Sequence, residues 1–216
     1  MATAKKKAEV VEMKPIEVKY LTIKIVGDTD LRLHRMDAVN RQALIDKQRG
    51  KESKSKKVSV DKWMQAISTL RWRDGDPTEY TEEAYKEAIE NNAPCISSFG
   101  LKKSIGQAVT RLGFETYSTN FNASLQIVDE LIPIKFTECV LEEQLVPAPT
   151  GSPILGYINQ FKGWSAEFEI RYIENYYSLE QLLNFIKYSG FSIGIGSGRP
   201  GKSASNYGTY HIEEIR

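Results

Sequence analysis

The stretch "GWSAEFEIRYI" limits the fold more than any other part of the chain. Trp164, Ala166, Phe168, Ile170 and Tyr172 alternate with Ser165, Glu167, Glu169 and Arg171. Successive side chains of a strand point to opposite faces, so this run has one buried face and one wet face. Such a strand belongs in an antiparallel sheet covered on one side, because a sheet covered on both sides needs near-continuous apolar runs.

The rest of the second half follows the same logic. "FNASLQIV", "LIPIKFTECVLEE", "FSIGI" and "TYHIEEI" are rich in β-branched and aromatic residues and are expected as strands. "SLEQLLNFIKYSG" is expected as a helix that buries Leu179, Leu182, Leu183 and Ile186, with Gly190 ending it. The predicted order is β-β-β-α-β-β, with a glycine-rich loop between the final two strands.

The first half starts with a polar tail, residues 1–15, and then an alternating strand "IEVKYLTIKIV". A helix is predicted from about Asp37 to Lys47, with Ala38, Leu44 and Ile45 among its apolar positions. A second follows Ser59 as cap, with Val60, Trp63, Met64, Ile67 and Leu70 on one face. A surface helix is expected after Thr78 or Thr81. A fourth carries Leu101, Ile105, Val109 and Leu112 and stops at Gly113. The class is therefore α+β, with the helices of residues 60–112 inserted into the sheet.

"GSGRPGKS", Gly196 to Ser203, matches the G-x-x-x-x-G-K-[ST] pattern of a phosphate-cradling loop. That loop works because a helix begins at its Lys-Ser and adds the partial positive charge of its N-terminus. Here "ASNYGTYHIEEIR" follows, with a glycine and then an alternating strand. There is no room for the helix or for later strands that would hold magnesium. The pattern is read as a chance match in a hairpin loop.

Charge is distributed unevenly. Up to Arg111 there are 22 basic and 16 acidic residues, and after it 7 and 12, so the halves carry +6 and −5. A basic face suited to a polyanion follows, with an acidic remainder able to meet the basic face of another copy. Cys95 and Cys139 lie far apart with no C-x-x-C, which points to neither a disulfide framework nor zinc. With no long apolar run and no signal-peptide core, a cytoplasmic location without membrane or cofactor is expected.

Binding a single strand without reading its sequence needs a cationic track for phosphates and π-faces for bases. The loop at about 47–59 offers Lys47, Arg49, Lys51, Lys54, Lys56 and Lys57. Arg71 and Arg73 flank Trp72, itself expected in the core, and Lys102 and Lys103 stand near a helix start. Gly196, Gly198, Arg199, Gly201 and Lys202 lie beside Tyr207, where glycines allow close approach of phosphate to backbone donors. His34, between arginines in "LRLHRMD", is the one candidate for acid–base catalysis, against the plainer reading of a structural histidine.

Two stretches carry a family resemblance. "GFSIGIGSGRPGKSASNYGTYHI" resembles the C-terminal glycine-rich loop of the RAMP superfamily, and "CISSFGLKKSIGQAVTRLG" resembles the segment that opens a helix in the backbone subunits of CRISPR effector complexes. "LRLHR" is similar to a segment of short phage members. The resemblance implies a ferredoxin-like or RRM-like antiparallel sheet with helical insertions, formed by residues 16–216 as one domain. It also implies a non-enzymatic protein that binds single-stranded RNA or DNA, assembles as an oligomer or filament along the strand, and joins other subunits of a ribonucleoprotein. Two alternatives go with it: a metal-independent endoribonuclease using His34, and a mimic that occupies a subunit's place without touching nucleic acid.

Overall fold

The computed structural model describes residues 15–50, 61–146 and 154–216. Its elements, in chain order, are β1 (Val18–Gly27), β2 (Leu31–Leu33), α1 (Ala38–Gln48), α2 (Lys62–Ser68), α3 (Glu82–Asn91), β3 (Cys95–Ser97), α4 (Ser98–Arg111) and α5 (Thr119–Ser124). These are followed by β4 (Leu125–Ile127), β5 (Leu131–Lys135), β6 (Glu138–Val146), β7 (Ile154–Lys162), β8 (Ser165–Ile173), α6 (Leu179–Tyr188), a π-helical turn (Ser189–Ile193) and β9 (Tyr210–Ile215).

The larger sheet runs β3-β5-β8-β1-β9, with β4 also pairing β8, and every pairing in it is antiparallel. β1, α4, β5, β8, α6 and β9 form the β-α-β-β-α-β path of a ferredoxin-like core, the fold the family resemblance implies; α4, expected among the inserted helices of residues 60–112, belongs to the core itself. β8 buries Ala166, Phe168, Ile170 and Tyr172 and leaves Glu167 and Arg171 in water. Its partners on β1, Ile23 and Ile25, join Leu101, Ile105, Val109, Leu182, Phe185 and Ile186 of the two helices in one apolar cluster. Ser178 caps α6 in a full capping box with Gln181.

A second sheet, β2-β7-β6, was not anticipated. "LIPIKFTECVLEE" divides after Lys135: β5 stays in the main sheet, while β6 turns away to pair with β7. α2 and α3 cover this sheet. Asn159 of β7 is fully buried; Tyr85 of α3 donates to its carboxamide oxygen at 2.7 Å, and its amide nitrogen donates to the Ala66 carbonyl at 2.8 Å. A buried amide with both ends satisfied costs little, which is how a polar residue comes to sit mid-strand.

Several local expectations need correction. "FSIGI" is no strand: Gly190 packs with no space for a Cβ, which would lie 2.0 Å from the Tyr210 carbonyl oxygen, and the helix winds on through a π-turn to Ile193. The first half of "FNASLQIV" is the end of α5, followed by the three residues of β4. Asp61 caps α2, accepting from the Met64 amide at 2.7 Å, and Ser59 and Val60 lie outside the described residues. α1 keeps the predicted span, but its Leu44 and Ile45 are exposed.

Candidate functional site

The glycine-rich loop is fastened to the β1–β2 turn by backbone bonds. Gly208 N–H donates to the Asp30 carbonyl at 2.8 Å, and Ser197 N–H to the Arg32 carbonyl at 2.7 Å. Gly196 (φ 78°) and Gly208 (φ 68°) are needed there, since an added Cβ would lie 2.3 Å from the Arg32 oxygen and 2.0 Å from the Ile195 oxygen. The amides of Lys202 and Ser203 both donate to the Arg199 carbonyl at 3.0 Å, turned inward rather than toward a ligand. Beyond them the chain is irregular until β9, so the phosphate-loop pattern lacks its helix.

Two further bonds bring other segments to this loop. Arg35 N–H donates to the Thr69 carbonyl at 2.8 Å, and Cys95 N–H to the Arg71 carbonyl at 2.8 Å. The end of β2, the segment after α2, β3, the first turns of α4 and the loop thus meet around one open cleft of about 240 Å³. His34, Arg35, Arg71, Lys103, Gly196 and Arg199 line it, and among the described residues no carboxylate does. Arg35 is held by Asp76, and its Nε donates to the Ser68 carbonyl at 3.0 Å. Arg71, Lys103 and Arg199 have no carboxylate partner among the described residues. Arg199 donates through Nη1 to the Gly196 carbonyl at 3.0 Å, and its buried Nε has no partner there. Cations gathered in one cleft without carboxylate partners among the described residues favour an anion there.

Burial shifts two titratable groups of the cleft, His34 and Cys95. Although His34 reaches solvent, the cleft walls desolvate its ring and hold its pKa below the ordinary value, against a smaller opposing pull from Asp37. Burial pushes the Cys95 thiol up to about 11, which makes it no nucleophile at neutral pH.

The structure therefore gathers five of the sequence-derived residues, His34, Arg71, Lys103, Gly196 and Arg199, and separates the others. Arg73 pairs with Asp74 at 3.1 Å. Lys102 donates to the Asn122 carbonyl at 2.7 Å, tying α4 to α5, and burial lowers its pKa. Tyr207 lies under the Arg32 guanidinium, 3.8 Å from its centroid, with Gly198 close against its ring. Gly201 packs on Ile193, and Lys202 is exposed. Lys47 and Arg49 stand exposed at the end of α1, while Lys51, Lys54, Lys56 and Lys57 lie outside the described residues. Trp72 is core, its indole donating to the Ile67 carbonyl at 3.0 Å. Sequence reasoning missed Arg35, whose signal was its place beside His34, and Arg32, which bonds Glu142 and Gln160 of the second sheet.

The open face of the main sheet has a different character. Register places Thr22 and Lys24 opposite Glu169 and Glu167, and Tyr20 opposite Arg171. Lys24 is paired with Glu213, and Arg171 is bonded to Gln126. Among the described residues, no three His, Cys, Asp or Glu side chains are placed to hold a metal, and no helix is long and apolar enough to cross a membrane.

No family model and no curated protein matches the chain. Among solved structures it is similar to a chain of the Type III-B Cmr-beta complex bound to cognate target RNA, at 9% identity and a TM-score of 0.41, over 92% of this chain and 60% of that one. It is also similar to Cmr6 from Pyrococcus furiosus, at 12% identity and a TM-score of 0.32, over 91% of this chain and 99% of that one.

Proposed function

We propose that the chain is a single-strand nucleic-acid-binding protein, a short phage-type member of the RAMP group with residues 16–216 as one domain. It acts without catalysis in the cytoplasm and takes its place in a ribonucleoprotein, where copies assemble along the strand. The observation that carries this reading is the convergence of Arg71, Lys103 and Arg199, without carboxylate partners among the described residues, in one cleft beside the glycine-rich loop. Phosphates of a strand drawn across the cleft would meet these three cations in turn, and binding through phosphates is indifferent to sequence. Lys202 extends the track along the loop, and the lysines of residues 47–59 supply a further anchor.

The test is fluorescence anisotropy of labelled RNA and DNA strands of about 30 nucleotides across a salt series. The expected result is steep salt dependence with intact strands, together with larger complexes by light scattering as protein is added. Absence of binding at low salt refutes the reading and leaves the subunit mimic. His34 supports one second reading: a neutral imidazole among cations is placed as the base of a metal-independent endoribonuclease. Cutting on a gel of the same samples, lost in His34→Ala, would decide for it.

A further inference from the structure

Next to the cationic cleft is a second hollow of about 480 Å³, lined by Phe99, Lys102, Lys103, Ser118 and Asn122. Lys103 lines both cavities, so the two adjoin at one cation. Phe99 is the second residue of α4, and Lys102 and Lys103 follow at i+3 and i+4 on the same side of the helix. Its ring is 74% exposed and belongs to neither apolar cluster nor any aromatic pair among the described residues. The far wall is polar: Asn122 donates through its amide nitrogen to Ser118 Oγ at 3.2 Å, leaving its carboxamide oxygen for another donor. Lys102 is occupied by the Asn122 carbonyl, which leaves Lys103 as the cation free to turn either way.

We infer that this hollow is a nucleobase subsite. A base of the strand whose phosphate lies at Lys103 stacks on the Phe99 ring, with its edge toward Asn122. The inference rests on the nucleic-acid reading above. A base is favoured over a protein side chain because the exposed aromatic ring stands one helical turn from a cation that also lines the phosphate cleft, and a nucleic acid carries a flat π-face and a phosphate on every residue. Stacking on an aromatic ring tolerates any base, so the subsite adds affinity without sequence preference.

The experiment compares a homopolymer of about 30 nucleotides, in ribo and deoxyribo forms, with the same strand lacking all bases. Phe99→Ala should weaken binding of the strand with bases about ten-fold and change binding of the abasic strand less than about two-fold. Phe99→Trp should restore affinity, with tryptophan emission quenched by the strand with bases but not by the abasic one. Equal binding by Phe99→Ala and wild type on both strands, or no quenching of bound Phe99→Trp, overturns the subsite while leaving the phosphate cleft standing. If the wild-type chain binds neither strand, both readings fall together.

Discussion

The cleft and the open sheet face show how one ferredoxin-like core can present two unlike surfaces. On the sheet face, cations are matched by acids or amides across the strands, as Lys24 is by Glu213, and Tyr20 is the aromatic that stands out. In the cleft, Arg71, Lys103 and Arg199 have no such matches among the described residues. An RRM-like platform stacks bases on sheet aromatics, and this sheet is furnished differently. On the proposed reading, the binding surface of this fold is set by where its helices and loops place unpaired charge, not by the sheet alone.

The strongest test of the contrast is to empty the cleft of charge. The triple variant Arg71→Ala, Lys103→Ala, Arg199→Ala should lose about 100- to 1,000-fold in affinity for a single strand, and its salt slope should fall by about two. Anisotropy over a salt series measures both. Next in size is the clasp that holds the loop in place: Gly208→Ala forces a positive φ on a side chain directed at the Ile195 oxygen. It should cost about 3 kcal/mol and lower the melting temperature by about 6–12 °C in a thermal scan.

A smaller effect comes from pH. Burial lowers the His34 pKa in the folded chain, so the unfolded chain takes up the proton first. Stability is complete above the ordinary histidine value and declines as pH falls below it, whereas strand affinity rises over the same interval because protonation adds a cation to the cleft. His34→Gln should flatten both profiles, read by denaturant titration and by anisotropy between about pH 7 and 5. The least effect is expected from the opposite surface: Glu167→Gln with Glu169→Gln should leave affinity within about two-fold, a small gain included. A large loss there would erase the distinction between the two faces.

How much could be read beforehand varied by element. β8 was legible because a half-buried strand imposes a period of two, and its burial follows that period residue by residue. α4 and α6 were legible from stripes, caps and terminal glycines. β7 was not, because Asn159 and Gln160 interrupt its pattern and are buried through partners far away in sequence, Tyr85 and Asp30. The cleft was half legible. Arg71, Lys103 and Arg199 stood out as cations near glycines or a helix start, but nothing local said that backbone bonds between β2, β3 and the loop would bring them together.

The position of β1 also governs how the chain acquires its shape. β1 lies between β8 and β9, with Ile23 opposite both Phe168 and Ile215. Its first strand must therefore wait for segments near the far end of the chain before either edge is paired. Closing such long loops is entropically slow, and the core has little that can form locally around β1 in the meantime. Refolding should thus be limited by capture of this central strand, and a chain arrested before β8 would expose two unpaired edges to any neighbour able to add a strand.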